Sequence, residues 1–309
     1  MGVGPAAAVK IAASESLSAF HLAKYRFTLC ATTEIILPVY KGSATHGGFG
    51  HALQHISPAF FKMLYQPPGK DSPPKPFVLT PPLASKTDYQ PGEQFEIELV
   101  LIGNATQHLP VCFAALDALG QQLGFGTNKG RYQIERVDFC DASGDYQPLF
   151  QGGIWQFGHN VVNGQQIADP LPPVKERVTI QLQTRLRLKH NDHLLKQSPD
   201  FRLLLDRLLG RLCTLANFYQ PQPLLLRETR NELLAAAEVV CIVDDQVVWE
   251  EWCRFSGRQK EWMKFGGLIG EVTYEGDLSL LMPYLKLGEW VHVGGKTSFG
   301  LGKYKIIAE

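Results

Sequence analysis

The chain lacks an excess of charge of either sign: among its 309 residues, Lys plus Arg and Asp plus Glu stand at 30 each. A nucleic-acid-binding domain is usually basic overall. Any such role here must rest on a local basic face, with the acids gathered elsewhere. Charged residues make up 19% of the chain and hydrophobic residues 45%, against roughly 25% charged in an average globular protein. That excludes a disordered chain and leaves ample material for a core. Long apolar runs are also missing. No stretch approaches the ~18 residues of a membrane-spanning helix, so no membrane association is expected. The opening run MGVGPAAAVKIAASES has neither a sustained apolar segment nor a charged start, so no signal peptide is expected. Ala6 stands where a myristoylation motif needs Ser or Thr.

Cysteine is sparse and scattered: Cys30, Cys112, Cys140, Cys213, Cys241 and Cys253. No C-x-x-C pair occurs, so no zinc site, and no other metal or cofactor, is expected. Several of the six sit in apolar runs and read as small core residues. Nothing suggests a disulfide framework, and a reducing, cytoplasmic setting is expected.

What is present is one order of elements, twice. Tyr25–Pro38 reads as a strand. Gly47–Leu64 reads as a helix, with Ala52, Leu53, Ile56, Phe60 and Leu64 at helical spacing. Strands follow at Phe77–Thr80 and Gln94–Ile102, then a helix over Leu109–Leu123 and a strand over Arg131–Phe139. That order, β-α-β-β-α-β, is the ferredoxin-like unit. It restarts with a strand over Arg177–Lys189 and a helix over Phe201–Tyr219. Strand-like runs follow at Ala237–Phe255 and Leu268–Tyr274, then a short helix over Leu278–Leu287 and a last strand at Trp290–Val293. The expected fold class is α+β: two tandem ferredoxin-like (RRM-like) domains with a C-terminal glycine-rich loop. Residues 1–22 would be a poorly ordered extension, 23–160 the first domain, 161–175 a linker and 176–309 the second domain.

Basic residues cluster in two places. Side chains alternate faces along a strand, so Gln181, Gln183, Arg185, Arg187 and Lys189 would share one face. The row fits a solvated outer face as well as a nucleic-acid track. Arg254, Arg258, Lys260 and Lys264 lie among Phe255, Trp262 and Phe265. Cations beside rings suit single-stranded RNA, but the same residues would serve an exposed loop with a few anchoring aromatics. The terminal run H-V-G-G-K-T-S-F-G-L-G-K-Y brings Gly294, Gly295, Gly300 and Gly302 together with Lys296 and Lys303. Glycines admit close backbone approach, and exposed N–H groups with lysines can hold phosphate. It is not a Walker loop: Trp290 stands where the upstream glycine belongs.

Four runs in order carry a resemblance. They are G-S-A-T-H-G-G-F-G-H-A-L, P-F-V-L-T-P-P-L, R-Q-K-E-W-M-K-F-G-G-L-I-G and the terminal glycine-rich run. Together they resemble the CRISPR-associated (Cas) family six, the repeat-processing endoribonucleases of the RAMP superfamily, over roughly Tyr25 to Ile307. The resemblance implies binding of CRISPR repeat RNA. It also implies metal-independent cleavage of pre-crRNA by 2′-OH attack, leaving 2′,3′-cyclic phosphate and 5′-OH ends. It implies subunits of a type I or type III effector complex as partners, and a homodimer as one assembly. A non-catalytic RAMP subunit that only holds crRNA remains the alternative. A general RNA-binding protein is disfavoured, because neither half shows the aromatic signature of an RNA recognition motif.

The reaction implied needs a base, an acid and a group that stabilises charge on phosphate. Histidine suits the first two and lysine or backbone N–H groups the third. In this family a catalytic histidine often lies near the first helix, where this chain has His46, His51 and His55. His46, beside Gly47 and Gly48, is the first candidate and His51 the second, with Lys41, Tyr40 and Tyr25 as helpers. Relatives often carry arginine in place of His46, so an RNA-binding role for it stays open. His292 is a further candidate. RNA-binding residues are expected at Arg185, Arg187, Lys189, Arg258, Lys260, Lys264, Lys296 and Lys303, with Gly294, Gly295, Gly300 and Gly302.

Overall fold

Strand β1 (His21–Ala31) alternates cleanly: Tyr25, Phe27 and Leu29 are buried, while Lys24, Arg26 and Thr28 are half-buried on the other face. The alternation puts the apolar row on a core and the charged row on a polar face. The computed structural model describes residues 16–69, 73–156, 158, 160–169, 176–256 and 261–307, with side chains left aside over 254–264. Within these residues, β1 lies between β3 (Gln94–Ile102) and β4 (Tyr132–Cys140), with β2 (Phe77–Thr80) outside β3, all antiparallel. The order 2-3-1-4 is ferredoxin-like. Helices α1 (Gly42–Ile56) and α3 (Leu109–Ala118) bury Phe49, Leu53, Cys112 and Leu116 in the same core as Tyr25 and Phe27. A hairpin strand, β5 (Tyr146–Gln151), extends the sheet beyond β4.

The helix read as Gly47–Leu64 is two helices, α1 and α2 (Pro58–Tyr65). Ser57 is extended, as the residue before proline prefers, and its hydroxyl accepts from Phe60 N. Pro58 then opens α2 at a position that needs no N–H. Helix α1 also begins five residues earlier than expected.

The second sheet repeats the plan. β6 (Arg177–Leu186) lies between β11 (Gly267–Glu275) and β12 (Tyr304–Ile307), and β7 (Cys241–Asp245) with β8 (Val248–Glu250) edges β11. Helices α4 (Phe201–Tyr219) and α6 (Met282–Val291) cover it, with α5 (Arg227–Ala237) beside α4. The strands β9 (Cys253–Ser256) and β10 (Glu261–Lys264) form a separate hairpin. Three expectations fail here. Trp290 and Val291 end α6 rather than form the last strand, which follows the glycine-rich loop. Helix α5 escaped notice because it buries only Leu233, Leu234 and Ala237. β6 stops at Leu186: Lys189 sits in a small hairpin turned by Asn191 and Asp192, both at positive φ. Lys189 therefore leaves the Gln181–Gln183–Arg185 row.

The stretch read as a linker begins inside the first sheet, where Val162 and Asn163 pair with β1. Asn163 and Gln166 cap the helix Gly164–Ala168 reciprocally. The stretch read as an N-terminal extension ends in β1, and Leu17 and Phe20 are buried before it. Its residues 1–15 lie outside the described residues.

The two sheets meet through the glycine-rich loop. Lys303 forms an ion pair with Glu98 of β3, and Tyr146 Oη donates to the same carboxylate at 2.8 Å. Burial alone would raise the Glu98 carboxyl; Lys24 and Lys303, with hydrogen bonds from Lys303 and Tyr146, hold it at about 2. Burial lowers Lys303 as well, and Glu98 offsets part of that. Such a pair is kept at a desolvation cost, so removing one partner strands the other charge. Glu98→Gln is expected to cost about 3–5 kcal/mol, read as a shifted denaturant midpoint, and Glu98→Gln with Lys303→Met should recover part of it. The depressed carboxyl fixes the sign with pH: its contribution is complete above the ordinary value of 4.5 and lost as pH falls toward about 2.

Candidate active site and basic groove

Helix α1 places His46 in its second turn, pointing at the domain junction. Its ring stacks on Phe299 of the glycine-rich loop, with centroids 3.8 Å apart and planes 14° apart. Tyr65 lies at 4.8 Å and donates its hydroxyl to the His46 carbonyl at 2.7 Å. Lys75 Nζ stands 3.2 Å from His46 Nε2. When a charged ammonium donates there, Nε2 accepts, so the ring is neutral with its proton on Nδ1. That is the form a general base needs. His46 is 8% exposed; it does not stand open at a helix start as expected.

The other predicted residues divide. Lys41 is buried at the start of α1 and gives its ammonium to the Ala84 carbonyl at 2.7 Å, with burial lowering its pKa. The helper role expected of it is therefore replaced by a structural one. His51 and His55 are exposed. At about 100° per residue, His51 points well away from His46. Tyr40 Oη donates to the Phe299 carbonyl at 2.8 Å and so holds the loop that covers His46. Tyr25 is buried under β1, its hydroxyl on the Asn160 carbonyl at 3.3 Å, and burial raises its pKa. His292 is wholly enclosed, with Nδ1 3.2 Å from the Leu301 carbonyl. Burial, then Lys303, holds it well below the ordinary histidine range, so it stays neutral and structural.

Among the basic residues, Arg185 pairs with Glu250 at 2.7 Å and lies over Trp252 at 4.8 Å. Arg187 donates to the Gly266 carbonyl and approaches the Phe265 ring at 5.9 Å. Lys303 is committed to Glu98, which corrects the expectation that it meets phosphate. Arg258 and Lys260 lie outside the described residues; Lys264 ends β10, and its side chain is not described.

Gly300 and Gly302 act as backbone contacts. Both have positive φ, and a Cβ would overlap Pro81 at the first and the Val293 carbonyl at the second. These two therefore seat the loop rather than cradle phosphate. Gly295 is exposed, and a Cβ there would meet nothing closer than 3.6 Å.

Several predicted residues do converge. A groove of about 690 Å³ is lined by Arg187, Lys189, Gly294, Gly295 and Lys296, together with Arg207 and Arg211 of α4. The one acid on its lining is Asp192. Arg211 is half-buried and gives two hydrogen bonds to the Val291 carbonyl; desolvation lowers it to about 10, so it keeps its charge at neutral pH. Its lining also includes Pro74, the residue before Lys75. Sequence reading missed Arg207, Arg211 and Lys75. The i, i+4 spacing on α4 would have placed the two arginines on one helix face. Lys75, inside the P-P-K-P run, offers no local pattern.

A family model described as CRISPR-associated endoribonuclease Cas6 matches residues 180–304, and one described as an N-terminal domain matches residues 20–165. Among solved structures, Thermus thermophilus Cas6 superposes with a TM-score of 0.59 at 19% identity, covering 94% of this chain and 99% of that one. A Cas6 product complex gives a TM-score of 0.63 at 18% identity, covering 93% and 99%. A partial Cas6-RT-Cas1–Cas2 complex gives 0.64 at 16% identity, covering 94% of this chain and 47% of that one. No curated protein matches the chain. At these identities the superpositions speak for a shared tandem ferredoxin-like fold, and the family match spans the second domain with its basic groove and glycine-rich loop. Over residues 180–304 the chain is similar to the CRISPR-associated endoribonuclease Cas6 family, and over nearly its whole length it shares the fold of Cas6.

Proposed function

We propose that this RNA-cleaving enzyme cuts CRISPR repeat RNA within pre-crRNA without a metal, by attack of a ribose 2′-OH on the adjoining phosphate. The products carry 2′,3′-cyclic phosphate and 5′-OH ends. The observation that carries the reading is the groove lined by Arg187, Lys189, Arg207, Arg211 and Lys296, whose lining includes Pro74, the residue before Lys75 and its contact with His46. Phosphates held along the groove would lead the chain to His46, whose Nε2 takes the 2′-OH proton. His46 is the base; His51 is exposed and lies elsewhere on α1.

One observation favours a second reading. Phe299 lies over His46 and leaves it little exposed, which suits a RAMP subunit that holds crRNA without cutting. Subunits of a type I or type III effector and a second copy of this chain are the protein partners of either reading. Among the described residues no helix is long and apolar enough to cross a membrane.

Two measurements test this. Repeat RNA should be cut in EDTA, and a single 2′-deoxy ribose at the cut site should block it. His46→Ala should lower the single-turnover rate about 10²–10⁴-fold while RNA still binds, and His51→Ala should leave it unchanged. Tight binding by the unaltered protein with no cutting would establish the scaffold instead. In a separate titration, Lys189→Ala with Lys296→Ala should weaken binding and flatten the salt dependence by about 0.7 per lost phosphate contact on single-stranded RNA. An unchanged slope would remove these two lysines from the RNA path.

A further inference from the structure

Cleavage by 2′-OH attack needs a proton for the departing 5′ oxygen, and the groups around His46 narrow the choice. Tyr65 spends its hydroxyl on the His46 carbonyl, and burial raises its pKa well above the usual range. Tyr40 is bound to the Phe299 carbonyl and Lys41 to the Ala84 carbonyl. Lys75 is different. It is half-buried where His46 is buried, and Pro74 beside it lines the basic groove. Lys75 is thus the more accessible of the two, and its neighbour in sequence lines the groove.

The segment is also built to hold that ammonium in place. Pro74 and Pro76 flank Lys75, and each proline fixes its own φ. Tyr219 Oη donates to the Pro74 carbonyl at 2.9 Å, tying the segment to the end of α4. Nζ lies 4.5 Å from the centroid of the Tyr65 ring, a cation–π distance.

We propose that Lys75 is the general acid of the reaction, a role that rests on His46 being its base. When RNA binds, the ammonium leaves Nε2 for the scissile phosphate, which frees Nε2. The 2′-OH proton passes to Nε2, the 2′ oxygen bonds to phosphorus and the bond from phosphorus to the 5′ oxygen breaks. That oxygen takes its proton from Lys75 Nζ. An alkoxide is far more basic than an amine, so an ammonium is a competent donor. The centre is left with imidazolium and neutral amine. At ordinary values of ~6.5 for histidine and ~10.4 for lysine the proton moves from ring to amine. The 3.2 Å contact between Nε2 and Nζ is the path for that return. No group is consumed, and no oxidant or metal enters the balance.

The test compares single-turnover cleavage of two repeat RNAs at saturating protein: one with the natural 5′ oxygen at the cut site, one with sulfur in its place. A thiolate leaves without a proton. Lys75→Ala should cut the oxygen substrate about 10²–10⁴-fold more slowly and the sulfur substrate at nearly the unaltered rate, while His46→Ala is slow on both. Lys75→Arg keeps the positive charge but is a poor proton donor, so it should behave like Lys75→Ala; it also serves if the alanine variant folds badly. Equal slowing of both substrates by both Lys75 variants, or a normal rate on the oxygen substrate, would overturn the acid role and leave His46 standing. Full activity of His46→Ala, or no cutting by the unaltered protein, would overturn the underlying reading and the Lys75 assignment with it.

Discussion

The seating of one loop on one sheet decides whether this molecule has a site at all. The glycine-rich loop belongs to the second domain, yet several of its residues reach the first. Lys303 pairs with Glu98, Phe299 stacks on His46, and Gly300 closes against Pro81. Thr184 of β6 binds the loop from behind, donating to the Gly300 carbonyl at 2.8 Å and accepting from Lys303 N at 2.9 Å. The proposed site is then shared across the junction. His46 and Lys75 come from the first domain, and Arg187, Lys189, Arg207, Arg211 and Lys296 from the second. A side chain at Gly300 or Gly302 would lift the loop and part the two sets without touching a reacting group.

The same seating governs access. A ring 3.8 Å from another, in near-parallel planes, leaves no room for a ribose between them. A base at His46 must therefore be reached at its Nε2 edge, the edge Lys75 occupies. The stack and the lysine contact do different work: Phe299 fixes the plane of the ring, and Lys75 stands at its Nε2 edge. A ring fixed in plane loses little entropy when the reaction begins, which is the physical content of a prearranged site.

How much of this the sequence revealed depended on how local the cause was. Gln94–Ile102 and Phe201–Tyr219 were read with their observed bounds, because strict alternation and a leucine stripe at helical spacing are local signals. The two ferredoxin-like repeats followed from element order. The last strand was misplaced because Trp290 and Val291 are apolar enough for either structure; helical packing against the core decided it. The basic row broke only at its end. Side chains still alternate from Gln181 to Leu188 across the register shift of β6 against β11, and only past the end of β6 does Lys189 swing out on its own hairpin. At the site, Lys296, Gly294 and Gly295 were legible from the loop, and His46 from the resemblance together with its helix. Lys75 was not legible. Its importance is a contact across 29 residues of sequence separation, and no periodicity carries that.

The absence of net charge finds its explanation in how the basic residues are spent. Arg185 is taken by Glu250, Arg187 by a backbone carbonyl and Lys303 by Glu98. Arg26 and Arg136 both lean on the buried Asp138. These acids hold the structure together, and each neutralises a cation that whole-chain counting would have credited to RNA. What matters for a phosphate chain is the field within about 10 Å, the screening length at ordinary salt. Within that range the groove presents Lys189, Arg207, Arg211 and Lys296 against Asp192 and against Asp206, which pairs with Arg207 at 3.5 Å and with Arg230 at 2.6 Å. Low-dielectric walls around Arg211 sharpen that field further. A chain with zero formal charge can therefore bind a polyanion, provided its acids are spent on cations in the scaffold and a group of its cations lines one groove. Composition excludes a uniformly basic binder and leaves a locally basic one untouched.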